Sequence, residues 1–223
     1  EGKKNFHSLN TVLSESDIVT VHVPLSIVGE DCTYHLFDEK NFKKIRKGAW
    51  FFNTSRGEVT DSYALKKVLA SGRLSGAVID VWENEPDIDL ELMGQAFIAT
   101  PHIAGYSTDG KANGTSMVVN TLSKYFNLPL VNWYPQNVPP PAFPYISIDC
   151  KDKLPEEIIR EVVNLAYNID DDNKKLRYSP SDFEKQRGDY PIRREFTSYL
   201  VELKNGSERI KKTLADLGFK IKI

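Results

Sequence analysis

The feature that most constrains the fold is an alternation of short apolar runs with helix-forming segments over the first half of the chain. The apolar runs lie at 17–23, 49–53, 76–81 and 97–100. Asp38 and Asp61 precede the intervening helical patterns and Gly48 and Gly72 follow them, as N-caps and C-terminal stops do. Strands that are apolar on both faces and separated by helices predict a mostly parallel sheet covered on both sides.

The second half predicts a long helix, a stiff linker and a smaller unit. The helix spans 108–126, and a proline-rich run at 139–144 follows it. Strand patterns occur at 145–148, 196–203 and 219–223, with helix patterns starting at Pro155 and Ser207. A few strands with helices over one face predict a small α+β unit. We place one domain at 1–128, including the long helix, and a second domain at 129–223.

One expected motif is missing from the sequence. A doubly wound nucleotide-binding domain begins with a strand, a Gly-rich GxGxxG turn and a helix, and this chain contains no such turn. The run at 17–23 would then be the fourth strand of such a sheet. We therefore expect 1–128 to be the C-terminal half of a Rossmann-type α/β sheet from a longer protein. Alone it should bind a dinucleotide weakly and be inactive, since the main pyrophosphate site is lacking.

Composition excludes several classes of protein. The 223 residues carry 29 Lys and Arg against 31 Asp and Glu, a net charge of -2, which argues against nucleic-acid binding. No apolar run approaches the roughly 20 residues of a membrane helix. The two cysteines, Cys32 and Cys150, have no CxxC spacing, so we expect no metal site and a reducing, cytoplasmic location.

Polar groups follow three of the predicted strands at the point where each strand ends. The segments are 53–57, 80–86 and 100–106. Because the carboxyl ends of parallel strands share one edge of a sheet, we expect Arg56, Glu85 and His102 to converge there. Singly, each has a plain alternative: a salt-bridged surface arginine, a turn-capping glutamate and a loop histidine. The combination is much more specific than any member.

These residue types suit the oxidation of a hydroxy acid. The planar fork of Arg56 matches a carboxylate bidentately. His102 can take a proton from a hydroxyl while hydride leaves the same carbon, and the reverse in reduction. Glu85 can hold the second ring nitrogen of His102 and so fix its tautomer.

The same segments resemble the D-2-hydroxyacid dehydrogenase family. The likeness is carried by NTSRGEVTD at 53–61, DVWENEP at 80–86 and PHIAG at 101–105, and it covers nearly all of the chain. It implies an NAD-dependent enzyme in which Arg56, Glu85 and His102 are catalytic. The segment 102–115 and the tail resemble a member that acts on a small phosphorylated hydroxy acid.

The resemblance also implies binding residues and a partner. Cofactor-binding positions are Val23, Thr54, Ser55, Arg56, Asp80 and Gly105. Arg56 and Tyr106 would contact substrate, and 129–223 would form a homodimer. We interpret the neighbouring Arg193 and Arg194 as a salt-bridged surface pair, with contact to a substrate phosphate across a dimer as the alternative. Two alternatives to a dehydrogenase of a small phosphorylated hydroxy acid stay open. The protein could be a 2-hydroxyacid dehydrogenase with a different substrate, or it could have a non-catalytic role in assembly.

Overall fold

The computed structural model describes residues 6–222, which form two compact units. The first unit holds 6–104 and 170–189, and the second holds 105–169 and 190–222. The helices are α1 (Leu9–Glu15), α2 (Glu39–Lys44), α3 (Ser62–Ala70), α4 (Leu90–Gln95), α5 (Thr108–Tyr125), α6 (Pro155–Ala166), α7 (Ile169–Tyr178), α8 (Phe183–Gly188) and α9 (Glu208–Asp216). The strands are β1 (Ile18–Val21), β2 (Trp50–Asn53), β3 (Gly76–Ile79), β4 (Ile98–Ala99), β5 (Tyr145–Asp149), β6 (Leu200–Lys204) and β7 (Lys220–Ile221).

The first unit is built on a parallel sheet, as predicted. Its strands run in the order β1-β2-β3-β4, and each pairs in parallel with the next. The last residues of the four strands, Val21, Asn53, Ile79 and Ala99, are register partners. Every segment that leaves a strand therefore starts from one line along the carboxyl edge of the sheet.

Capping and burial explain why these helices form. Asp38 and Asp61 accept hydrogen bonds from the backbone N–H groups of Asn41 and Ala64, which confirms both predicted N-caps. Phe42 of α2 and Leu65 of α3 are fully buried in one core with Phe51 of β2. Burying such side chains is the main source of stability for the unit.

The segment 170–189 packs into the first unit rather than with the tail around it. Leu176 of α7 and Phe183 of α8 are fully buried in the core of the first unit. The Arg177 guanidinium donates to the carbonyl oxygens of Met93 (2.7 Å) and Ala96 (2.6 Å) at the end of α4. The compact units thus differ from the predicted domains, which divide at residue 128, and the domain boundary stays a prediction.

The second unit contains a three-stranded sheet within the described residues. The order is β5-β6-β7, all parallel. Side chains alternate, so that Ile146, Ile148, Val201 and Leu203 face inward against α6 and α9. Helices over one face of a small sheet were predicted, whereas the parallel direction of the strands was not.

Three local predictions have different outcomes in the second unit. The long helix is confirmed as α5, but its apolar residues Met117, Val118 and Tyr125 are exposed. The predicted strand at 196–203 is wrong in its first part, because 196–198 form a 3-10 turn and the strand starts at Leu200. The strand at 219–223 is present as β7, and residue 223 lies outside the described residues.

None of the helices within residues 6–222 combines the length and the apolar character that crossing a bilayer requires.

Candidate active site

The predicted site residues of the first unit lie in the segments that follow the strands at the carboxyl edge of the sheet. Val23 stands two positions after the end of β1, Arg56 three after β2, Asp80 one after β3 and His102 three after β4. Because the strand ends are in register, these short segments emerge side by side. The topology therefore gathers residues that are up to 79 positions apart, from 23 to 102.

Glu85 and His102 form a directly bonded pair. Glu85 Oε2 lies 2.8 Å from His102 Nδ1, and the other oxygen, Oε1, accepts the backbone N–H of Trp82 at 2.9 Å. The side chains are 19% and 25% exposed, so the pair is sheltered but still open to a ligand. With Nδ1 held by the carboxylate, Nε2 is the nitrogen through which a proton can pass to or from a ligand.

Arg56 is exposed and sits on a tightly fixed turn. One guanidinium nitrogen, Nη1, donates to the carbonyl oxygen of Ser55 at 2.7 Å. The turn is held by the buried amide of Asn53, whose Nδ2 donates to the Arg56 carbonyl at 2.9 Å and to the Thr60 hydroxyl at 3.1 Å. The oxygen of the same amide accepts the N–H and the hydroxyl of Ser55.

Arg56, Glu85 and His102 line one cavity of about 290 Å³. The other lining residues are Tyr34, Gly57, Glu58, Trp82, Glu83 and Asn84. The structure thus brings together the guanidinium, the imidazole and the carboxylate that the sequence predicts to converge. Their catalytic roles stay a prediction.

A second cavity, of about 540 Å³, adjoins Arg56 on the β1 side. It is lined by 22–25 and 54–56, which include the predicted cofactor positions Val23, Thr54 and Ser55. Val23 and Leu25 give it an apolar wall, while Thr54, Ser55 and Arg56 supply polar groups. A flat aromatic ring with a polar substituent, such as a nicotinamide, fits this mixture. Arg56 is shared by both cavities.

Asp80 is buried and fully engaged within the first unit. Its carboxylate accepts the Thr100 hydroxyl at 2.6 Å and the backbone N–H groups of Ile103 and Ala104 at 2.8 and 2.9 Å. Its backbone carbonyl accepts the N–H of His102 at 2.7 Å. Asp80 therefore shapes the segment that carries His102, and its predicted contact with the cofactor stays a prediction.

Gly105 and Tyr106 belong to the second unit, so their predicted contacts with cofactor and substrate stay predictions. Within that unit, the Tyr106 ring meets the Tyr190 ring edge-on at 5.9 Å. Arg194 makes a bidentate ion pair with Asp109, at 2.8 and 2.9 Å, which confirms the salt-bridge interpretation for this arginine.

Asn53, His35 and Glu83 carry structural contacts that the sequence did not predict. Asn53 stands at the end of a strand before a turn, a place where amide side chains commonly bond to the backbone two residues on, so a local signal existed. His35 Nε2 lies 2.7 Å from Glu83 Oε1, although the residues are 48 positions apart. No local pattern could have paired them.

Comparison with known proteins agrees with the geometry. Residues 1–104 match the family described as "D-isomer specific 2-hydroxyacid dehydrogenase, NAD binding domain", and 138–218 match a domain of unknown function, DUF3410. Among curated relatives, erythronate-4-phosphate dehydrogenase of Bacteroides fragilis is 45% identical over 197 residues, covering 88% of this chain and 53% of the relative.

Other relatives with the same name are similar at lower identity. The enzyme of Proteus mirabilis is 38% identical over 205 residues, which cover 91% of this chain and 54% of the relative. The enzyme of Pseudomonas entomophila is 34% identical over 221 residues, which cover 96% of this chain and 57% of the relative. The chain spans about half the length of the curated relatives it matches. Residues 1–104 thus match the NAD-binding domain of the D-isomer specific 2-hydroxyacid dehydrogenases, and NAD is the cofactor of that domain family, as predicted.

Proposed function

We propose that this chain carries the acid/base and carboxylate-binding groups of an NAD-dependent dehydrogenase. The proposed reaction oxidises 4-phospho-D-erythronate to 3-hydroxy-2-oxo-4-phosphooxybutanoate, a step on the route to pyridoxal 5′-phosphate. The observation that supports it most strongly is the Glu85–His102 pair, at 2.8 Å, in the cavity that Arg56 also lines. The substrate is inferred from the shared name of the relatives.

Each side chain has one task in the proposed reaction. Arg56 binds the substrate carboxylate with its fork of N–H groups and so orients the neighbouring C2 carbon. His102 Nε2 takes the proton of the C2 hydroxyl while a hydride leaves C2. Glu85 keeps the imidazole oriented and stabilises the imidazolium that forms. The products are the 2-oxo acid, the reduced cofactor and one proton, which His102 then releases.

NAD, when bound, supplies the hydride acceptor. The residues that would hold its nicotinamide end are Val23, Thr54 and Ser55, which line the cavity next to Arg56. Since Arg56 lines both cavities, a carboxylate bound to it would adjoin both the cavity of the acid/base pair and the cavity proposed for the cofactor.

We also propose that the protein is a cytoplasmic homodimer assembled through 129–223. Among residues 6–222, helices cover one face of the sheet of the second unit, and Tyr145 and Leu200 on the other face are 45% and 38% exposed. An uncovered parallel sheet is unusual, which supports a partner on that face. Light scattering over a wide concentration range should give twice the monomer mass, and a monomer throughout would reject this proposal.

The central experiment replaces His102 by Gln in the protein that contains this chain. Loss of general acid/base catalysis should lower kcat by about 10²- to 10⁴-fold, with NAD affinity little changed. His7→Gln removes an exposed histidine and is the matched control. Unchanged turnover in His102→Gln would reject the acid/base role and favour a role in assembly.

A substrate panel tests the substrate class separately. We expect the highest kcat/KM for 4-phospho-D-erythronate among 2-hydroxy acids with and without a phosphate. A clear preference for a non-phosphorylated acid would reject this substrate while leaving the dehydrogenase proposal intact.

A further inference from the structure

The cavity with Glu85 and His102 has a second carboxylate–imidazole pair beside it. Glu83 and Glu85 belong to the same loop after β3, two positions apart, and each carboxylate meets one histidine. Glu83 lines the cavity, as does Tyr34, whose ring stacks on His35 with centroids 4.1 Å apart. The reaction proposed above uses Glu85 and His102 but gives no task to Glu83 and His35.

Both oxygens of Glu83 are engaged. Oε1 meets His35 Nε2 at 2.7 Å, and Oε2 accepts the backbone N–H of Ser62 at 2.8 Å. Ser62 is the first residue of α3, where the helix itself leaves N–H groups without partners, so a carboxylate is well suited to that place. Glu83 thereby ties the loop that carries Glu85 to α3.

His35 ties the same loop to the segment after Arg56. The backbone N–H of His35 donates to the carbonyl oxygen of Glu58 at 2.8 Å. His35 has a φ of +50°, a left-handed conformation that is uncommon outside glycine and persists only where the surroundings hold it. One residue therefore contacts both the Arg56 segment, through its backbone, and the Glu85 loop, through its ring.

The two segments that this pair joins are in direct contact. A Cβ added at Gly57 would lie 2.0 Å from the carbonyl carbon and oxygen of Trp82, so the Arg56 segment and the Glu85 loop touch through their backbones. The His35–Glu83 contact is thus a second link between two segments whose backbones already touch.

We infer that His35 and Glu83 are positioning residues: their hydrogen bond sets the Glu85 loop against the Arg56 segment and so fixes the geometry of the Glu85–His102 pair. This inference rests on the proposed function for its effect on turnover, but its effect on His102 can be measured without turnover. A misplacement of about 1 Å can lower the rate of a reaction by about 10²-fold, so a modest shift of the loop would be visible.

The first arm of the test is nuclear magnetic resonance on this chain. It contains only four histidines, so the ring nitrogen signals of His102 can be assigned by elimination. We expect the wild-type His102 ring to carry its proton mainly on Nδ1, toward Glu85. His35→Phe and Glu83→Gln should reduce that preference, His35→Gln should restore part of it through its side-chain N–H, and the control His7→Gln should leave it unchanged.

The second arm is kinetics on the protein that contains this chain. His35→Phe and Glu83→Gln should lower kcat by about tenfold or more and leave the KM for NAD nearly unchanged. If the pair were merely structural, its loss would lower the melting temperature without lowering kcat selectively relative to the KM for NAD. Unchanged His102 signals and unchanged kcat in both variants would overturn the inference. An inactive wild-type protein would reject the proposed function instead, and the resonance arm would still decide the role of the pair.

Discussion

The backbone carbonyl of Asp80 accepts a hydrogen bond from the backbone N–H of His102 at 2.7 Å. The carboxylate of the same residue binds the next two N–H groups, those of Ile103 and Ala104. Three consecutive amides thus converge on one aspartate. His102 has a φ of +55°, and these bonds hold it in that uncommon conformation.

Replacing Asp80 by Ala should therefore destabilise the first unit. The change removes the carboxylate that accepts the buried Thr100 hydroxyl and two backbone N–H groups, at a cost of about 3 kcal/mol in the free energy of unfolding. Urea denaturation of the chain measures it. Asp80→Asn keeps one acceptor oxygen and should cost less, so an equal loss in both variants would contradict this account.

Gly57→Ala should distort the turn that carries Arg56. The new methyl group would collide with backbone atoms of Trp82, 2.0 Å away, and backbone cannot rotate aside as a side chain can. We expect a loss of about 2–3 kcal/mol in the free energy of unfolding, and lower turnover in the protein that contains the chain.

The matched control for that substitution is Gly94→Ala. Gly94 is exposed in the last turn of α4, and an added Cβ would meet no other atom within 4 Å. It should stabilise the chain by about 0.5–1 kcal/mol, because alanine favours helix. If Gly57→Ala and Gly94→Ala both increased stability, the close approach of the Trp82 backbone to Gly57 would be wrong.

Phe183→Ala should destabilise the first unit although Phe183 lies far along the chain. Its ring is fully buried in the same core as Phe42 and Phe51, so its removal should cost about 3–5 kcal/mol. Tyr178 lies five positions earlier and is 91% exposed, and Tyr178→Ala should change stability by less than about 0.5 kcal/mol. Hydrogen exchange should show faster exchange in peptides of β2 only for Phe183→Ala.

The Asp109–Arg194 ion pair predicts a loss of stability in acid. Hydrogen bonds from the Arg194 guanidinium, and a further one from the Glu195 N–H, hold the pKa of Asp109 below its ordinary value. A carboxyl whose pKa is lower in the folded state stabilises that state fully at any pH above its unfolded pKa of about 3.9. This stabilisation is lost as the pH falls through the folded pKa. Thermal melts between pH 7 and pH 2 should show it.

Asp109→Asn tests whether the loss of stability at low pH comes from Asp109. The variant should be less stable by about 2 kcal/mol at pH 7 and should lose this part of the dependence on pH. Combining it with Arg194→Ala should cost less than the sum of the two single changes, because both remove the same ion pair. Additive losses would show that the pair does not act as a unit.

Local patterns were sufficient to predict most elements of the first unit. Apolar runs and the signals at Asp38, Asp61 and Gly72 predicted the strands and helices of the sheet, because capping and burial act over a few residues. The predicted stop at Gly48 is wrong, since α2 already ends at Lys44. They were not sufficient for Phe196, where a 3-10 turn replaces the start of a predicted strand. The pattern of side chains there is compatible with both conformations.

The candidate site was predictable to the extent that it depends on topology. The order of the strands places the segments of Arg56, Glu85 and His102 at one edge, and the rule for parallel sheets needs no coordinates. The pairing of His35 with Glu83 was not predictable, because it joins two loops whose separation depends on how the backbones pack.

The sequence by itself determined the parallel sheet, its cap residues and the residue types at its carboxyl edge, since these follow from periodicity and from interactions between near neighbours. Only the tertiary structure decided which carboxylate meets which imidazole, and that 170–189 fold into the first core. Both depend on contacts between residues far apart in the chain. Close packing allows only one arrangement of these contacts, and the local pattern of residues along the sequence does not predict which one it is.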